Sequence, residues 1–317
     1  MIRMPGTSYR GPLPPLTERQ RVLEQELRAY VHALAHEIGE RNLYRYSELT
    51  AAAEFIHATL AGFGYEVQHH RYEVAGRMAE NLEVEIRGVQ RPDEILLVGG
   101  HYDSVQGSPG ANDNATGVAA VLALARELAA ARPMRTLRFV AFTNEEPPFF
   151  QTGYMGSLLY AQRSRQRKEH IVVMLSLETL GYYSDEPRSQ TYPFPLGLFY
   201  PSTADFIAFV SNTDNGPWDQ RLVESFRRRA EFPSEGAALW PAIPGVAWSD
   251  HWAFWQQGYP AVMVTDTAPN RYPYYHTPYD SPDKVNFERL ARVVSGLEQV
   301  VWDTANREDE NVRRDGR

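Results

Sequence analysis

The chain has 317 residues, 43% of them hydrophobic and 23% charged, which is enough to bury a large core in one big domain or two ordinary ones. Setting 32 Lys and Arg against 40 Asp and Glu leaves a net charge of −8, which argues against broad attraction to nucleic acid or an anionic membrane. With no cysteine, disulfides, thiol nucleophiles and thiolate metal sites are excluded, so any metal must be held by nitrogen and oxygen.

Met1 to Gln20 contains no apolar run after a basic start, so no secretory signal is read and no later run reaches membrane-span length. A cytoplasmic protein is expected, or a secreted one if a signal has been removed. After a Pro-rich entry, Leu16–Ile38 and Glu48–Leu60 carry spaced apolar residues and predict two amphipathic helices. Tyr65–Tyr72 and Asn81–Ile86 read as strands around a turn, and Glu94–Gly100 (EILLVGG) as a strand buried on both faces. Helix, strand, helix and strand then follow at Asn114–Leu128, Thr136–Thr143, Phe150–Arg163 and His170–Leu177.

From Gly181 to Gly245 the composition turns aromatic and Pro-rich around helical stretches at Ser202–Phe209 and Pro217–Ala230, an elaboration rather than a second domain. The alternation resumes with a helix at His251–Gln257, a strand at Tyr259–Thr265 and a helix at Lys284–Thr304, and the charged end from about 306 to 317 reads as a frayed tail. The expected fold is a single three-layer α/β sandwich whose central sheet is largely parallel or mixed. Ligands are favoured beyond the carboxyl ends of such strands. No dinucleotide fingerprint or Walker element is present among the glycines.

Polar clusters sit at those strand ends. His101 directly follows EILLVGG, and Asp103 lies two positions on; either His101 is a metal ligand oriented by Asp103, or it is a hydrogen-bonded loop histidine. Asp113, in ANDNATG, either caps the next helix or is free to bridge two cations while Asn112 or Asn114 caps. Glu145 and Glu146 are adjacent after the next strand, which suits one carboxylate on metal and one on a proton; the competing reading is a solvated loop. Glu178 ends the strand IVVMLSLE, and His276 follows another buried strand through a Tyr-rich loop, where Asp280 or Asp283 orients the loop or caps a helix. Together His101, Asp113, Glu146, Glu178 and His276 supply five N/O ligand residues, a set that suits zinc and permits manganese or cobalt.

At this set the chain resembles the co-catalytic zinc aminopeptidases of metallopeptidase family twenty-eight, which also holds glutamate carboxypeptidases and glutaminyl cyclases. The matching segments run from about Leu97 to Val294 and include HYDS, GANDNATG, FTNEEPPFF, LETLGYYS, SDHWAFWQQGYPAVMVTD and YYHTPYDSPDKV. The resemblance implies two zinc ions, one on His101 and Glu178, the other on Glu146 and His276, with Asp113 bridging. It further implies Glu145 as general base and Asp103 as the partner that orients His101. The family more familiarly has Asp where this chain has Glu178. Ser249, Asp250 and His251 match a rim segment of the family, or more simply form a cap and first turn. The activity implied is removal of N-terminal residues from peptides; Tyr182, Tyr183, Trp248 and Tyr272 to Tyr275 are candidate pocket aromatics, and their crowding at the rim points to a hydrophobic first residue. Carboxypeptidase action through Arg227, Arg228, Arg229 or Arg271, glutaminyl cyclisation, and a metal-stabilised peptide-binding module without turnover are the competing readings.

Overall fold

The computed structural model describes residues 3–307. Among the described residues eight strands form one sheet in the order β1-β2-β4-β3-β5-β8-β6-β7. They are β1 (Gln68–Val74), β2 (Arg77–Ile86), β3 (Arg91–His101), β4 (Arg135–Phe142), β5 (His170–Glu178), β6 (Ile207–Asn212), β7 (Ser234–Leu239) and β8 (Ala261–Thr265). Strands β4, β3, β5 and β8 run parallel at the centre, β1 and β2 are antiparallel additions, and β6 turns against β8 before pairing in parallel with β7. The fold is therefore a mixed α/β sandwich, with helices on both faces of the sheet.

Seven α-helices among the described residues cover it: α1 (Glu18–His32), α2 (Tyr46–Gly62), α3 (Thr116–Leu128), α4 (Gly156–Gln166), α5 (Gly216–Arg229), α6 (His251–Gln256) and α7 (Phe287–Asn306). Residues Leu96, Val98, Leu137, Phe139, Val173 and Leu175 point to one face, into a core shared with α1, α2, α3, α5 and α7. Their alternating neighbours Ile95, Leu97, Val140, Phe142, Ile171 and Met174 point to the other, against α4 and α6. Burial on both faces explains why these strands read as continuous apolar runs. Local chemistry fixes the ends: a capping box between Thr17 and Gln20 starts α1, and left-handed Ala75 and Gly76 turn β1 into β2. No helix among the described residues is long and apolar enough to cross a membrane.

Two expectations change. Ser202–Phe209 is not helical; it bends and then enters β6, where Phe206, Ala208 and Val210 face one side and Ile207 and Phe209 the other. An apolar run of that length is compatible with either element, and only pairing with β7 and β8 selects the strand. The segment between Gly181 and Gly245 accordingly adds β6 and β7 to the same sheet, with α5 between them in the chain. Helix α4 starts at Gly156 instead of Phe150, because turns anchored on the Glu146 carbonyl, which accepts from the N–H groups of Phe149 and Phe150, occupy the intervening stretch. Of the tail expected from 306 on, residues 308–317 lie outside the described residues.

Candidate functional site

The carboxyl ends of β3, β4 and β5 deliver the polar residues to one place. His101 is the last residue of β3 and Glu178 the last of β5, while Glu145 and Glu146 follow β4 by three and four positions. The π-turn Ala111–Ala115 before α3 presents Asp113, and the loop after β8 returns His276, whose backbone is left-handed at φ 57°. All the carboxylates in this cluster are buried, Glu178 the most exposed at 7%.

His101 decides the reading. Its Nδ1 lies 3.2 Å from the Asp103 carbonyl oxygen, which fixes a proton on that nitrogen and turns the Nε2 lone pair inward. Nε2 then faces Glu178 Oε2 at 3.2 Å, Asp113 Oδ1 at 3.3 Å and Glu145 Oε2 at 3.8 Å. It has no hydrogen-bond partner although it is buried. A lone pair pointed at three carboxylates is an arrangement that a cation resolves. The second imidazole repeats it: His276 Nε2 is 3.1 Å from Asp113 Oδ2 and 3.2 Å from Glu146 Oε2. The five residues expected as ligands thus fall into two triads, His101, Asp113 and Glu178, and Asp113, Glu146 and His276, with ligand atoms within 4.8 Å in each. Asp113 belongs to both, one oxygen toward each imidazole.

Glu145 is in neither triad, yet its carboxylate is 3.8 Å from His101 Nε2. Asp103 does more than approach His101 Nδ1 at 3.5 Å through Oδ1. Its Oδ1 accepts the Glu145 N–H at 3.2 Å and its Oδ2 the Glu146 N–H at 3.1 Å, so one carboxylate ties the β3 end to the two glutamates.

The electrostatics are those of an acidic pit. Burial alone would lower the His101 imidazole, but Glu178 and Glu145 hold it well above its ordinary value. Burial also works against His276, and bonds from Asp113 and Glu146 still raise it to about 10. Burial, reinforced by the charge of Asp113, lifts Glu146 to about 7. Burial likewise lifts Glu145 well above the carboxylate range against the opposing pull of His101. A divalent cation here would favour neutral imidazoles and ionised carboxylates.

Several supporting residues escaped sequence reasoning. Ser249 and Asp250 were expected as a helix cap; neither side chain caps α6, and Ser249 Oγ instead donates to Glu178 Oε2 at 2.7 Å. Asp250 is wholly buried with neither oxygen bonded, and burial pushes its carboxyl to about 7. His251 fits its structural reading, buried against the Val246 carbonyl and lowered by burial to about 4. Of the pair Asp280 and Asp283, Asp280 does the positioning: it accepts the N–H of Asn112 at 2.8 Å and of Asp113 at 3.0 Å, and the Tyr272 hydroxyl at 2.8 Å. Arg41, fully buried between α1 and α2, donates to the carbonyls of Tyr102 and Gly110 at 2.6 and 2.8 Å and so clamps the loops around Asp113 from behind. A lone arginine in a polar loop gave no sequence signal for that. Among the expected aromatics, Tyr275 stacks on His276 with centroids 3.9 Å apart, Tyr275 and Trp248 line the adjacent cavity, and Tyr182 and Tyr183 do not.

With this geometry in hand, relatives can be weighed. The family model for peptidase family M28 matches residues 81–301. YfbL of Escherichia coli (strain K12) is 32% identical over 299 residues, covering 92% of this chain and 91% of its own. Among solved structures, the aminopeptidase from Aneurinibacillus sp. strain AM-1 superimposes with a TM-score of 0.69 at 16% identity, covering 92% of this chain and 96% of that one. Glutaminyl cyclase from Bacteroides thetaiotaomicron does so with a TM-score of 0.68 at 15% identity, covering 88% and 97%. Such identities establish a common fold and do not choose between the two activities.

Proposed function

We propose that this chain, which belongs to peptidase family M28 and is a metal-dependent exopeptidase, removes single residues from the free amino terminus of peptides, with two zinc ions as its resident metals. Asp113 would bridge, His101 and Glu178 would complete one ion's ligands, and Glu146 and His276 the other's. The set of imidazole and carboxylate suits zinc and tolerates manganese or cobalt. When bound, the ions supply Lewis acidity toward a peptide carbonyl and toward water.

The chain's own residues do the rest. Glu145, buried and outside both triads, is placed to accept a proton from the attacking water and to return it to the leaving amine. Asp103 sets the direction of its carboxylate by holding its backbone N–H, and Ser249 does the same for Glu178. The observation that carries the choice of terminus is that a terminal carboxylate needs a basic clamp, and among the described residues none that is basic lines the cavity beside the ligands. Arg227 spends its donors on Ser234 and on the carbonyls of Met4, Pro5 and Gly6, and Arg228 pairs with Asp303. Arg271 donates to Gln190 and to the carbonyls of Ala204 and Phe206, and it does not line the cavity beside the ligands. Its Nη2 is left without a bond, and a carboxypeptidase reading would rest on that atom.

Mass spectrometry of a peptide offered with a free or an acetylated amino terminus separates the activities. Stepwise trimming of the free peptide alone is expected. Trimming of the acetylated peptide from its other end would overturn the aminopeptidase reading in favour of a carboxypeptidase, and loss of ammonia without cleavage would favour a cyclase.

A further inference from the structure

The cavity beside the metal ligands has a shape and a charge that specify more than an apolar occupant. It is lined by residues of β5, β6, β7 and β8 and by the loops that carry Trp248 and Tyr275. One row of residues crosses its floor. Glu178 on β5 pairs in register with Thr265 on β8, Thr265 with Ala208 on β6, and Ala208 with Glu235 on β7. Residues in register share a face of a sheet, so these four side chains project to the same side. Three strand steps separate the first from the last, roughly 14 Å at the usual spacing.

Along that row the middle is apolar and the ends are acidic. Ala208 contributes only a methyl group, which leaves a channel between Phe206, Val210 and Met263, all members of one small core cluster. Glu178 stands at the metal end and Glu235 at the far end. Among the described residues they are the only charged ones lining the cavity, and none lining it is basic. The ion-pair partner of Glu235 is Arg227 at 3.8 Å, but the donors of Arg227 are turned to Ser234 and to the Met4, Pro5 and Gly6 carbonyls. Burial pushes the Glu235 carboxyl above its ordinary range in spite of Arg227 and Arg10. A carboxylate at the far end of an apolar channel penalises an apolar tip and rewards a cationic one.

We propose that Glu235 is a specificity-determining residue and that the preferred substrates are peptides whose first residue is lysine or arginine, its methylene stem lying over Ala208 and its cation meeting Glu235. The hydrophobic first residue expected from the aromatic content describes the walls of this channel and leaves out its end. The inference rests on the aminopeptidase reading, since it places the first side chain of the substrate in the cavity next to Glu178.

Norleucine carries nearly the same unbranched stem as lysine without the amine, so the pair isolates the tip. The test compares kcat/KM for lysyl and norleucyl 4-nitroanilides in zinc-loaded wild-type protein and in Glu235→Gln, with thermal unfolding and zinc content confirming that the variant folds and loads. In the wild type lysyl should exceed norleucyl by about tenfold or more. In Glu235→Gln that ratio should fall by about the same factor, through loss on lysine and gain on norleucine. Norleucyl equal to or better than lysyl in the wild type, or an unchanged ratio in the variant, would overturn the inference while leaving the aminopeptidase reading intact. If neither compound is cleaved, the aminopeptidase reading falls instead. Calorimetric binding of lysinamide against norleucinamide then decides the pocket by itself, tighter binding of lysinamide supporting the role of Glu235 and equal or weaker binding overturning it.

Discussion

Two regions of the same sheet meet at Glu178 and are built on opposite rules. At the ends of β3, β4 and β5 the carboxylates are buried and second groups hold them: Asp103 holds the backbone of Glu145 and Glu146, Asp280 that of Asp113, and Ser249 the Glu178 carboxylate. On the faces of β6 and β7 the side chains that matter are apolar or small, with one carboxylate, Glu235, whose ion-pair partner Arg227 stands 3.8 Å away. The first region is positioned to do chemistry and tolerates little displacement. The second is shaped to sort substrates and can change without disturbing the first. Substitutions should therefore divide cleanly, the metal end changing turnover or metal affinity and the β6–β7 end changing preference alone.

The largest expected effect is at Glu145. Glu145→Gln should keep its metal content, because the residue is in neither triad, and lose kcat by about 10²–10⁴-fold, the usual worth of a general acid–base group. Retained turnover in a metal-loaded variant would remove Glu145 from the mechanism.

Next in size is the pH dependence of metal binding. A cation must displace the proton on His276, whose imidazole stays charged until about pH 10, and below about pH 7 one on Glu146 as well. Affinity should rise with pH, by about a hundredfold over two units if one proton leaves per ion bound. Calorimetry in buffers of differing ionisation enthalpy counts the protons released. Affinity that does not change with pH would contradict the acidic-pit electrostatics.

Ser249→Ala removes the 2.7 Å bond to Glu178 and leaves the triads otherwise intact. Affinity for one of the two ions should fall by about tenfold, typical for loss of an outer-shell partner. Two unchanged affinities would show that Glu178 needs no such support.

The smallest effect belongs to the sorting region. Ala208→Leu fills the channel floor between Thr265 and Glu235, so kcat/KM for a long first residue should fall severalfold against alanine, while zinc content stays the same. A drop in metal content would mean that the two regions are coupled after all.

The same contrast sets how much could be read from sequence. Ligand residues that directly end a strand, such as His101 after EILLVGG and Glu178 after IVVMLSL, announce themselves because a buried apolar run breaks into a polar side chain at the edge where ligands bind. The central strands were legible for the same reason. Strand β6 was not, since FIAFV is apolar on both faces and fits a helix equally well before its partners are known. Nor was β7: SEGAAL carries no β-branched or aromatic residue, and its edge position comes from parallel pairing with β6. The row from Glu178 to Glu235 was invisible because register between strands distant in sequence is a tertiary fact. Arg41 and Asp280 were passed over or left ambiguous because their partners are backbone groups of loops far along the chain, and such partners leave no local pattern.

The central claim is that His101, Asp113, Glu146, Glu178 and His276 make two cation sites sharing one carboxylate. It is tested most directly by titrating metal-stripped protein with zinc in the wild type and in Asp113→Asn, with the count of bound ions as the readout. The account predicts two tightly bound ions per chain in the wild type and weakened binding of both in the variant. A single ion in the wild type, or a variant that loses one site and keeps the other at full strength, would contradict it.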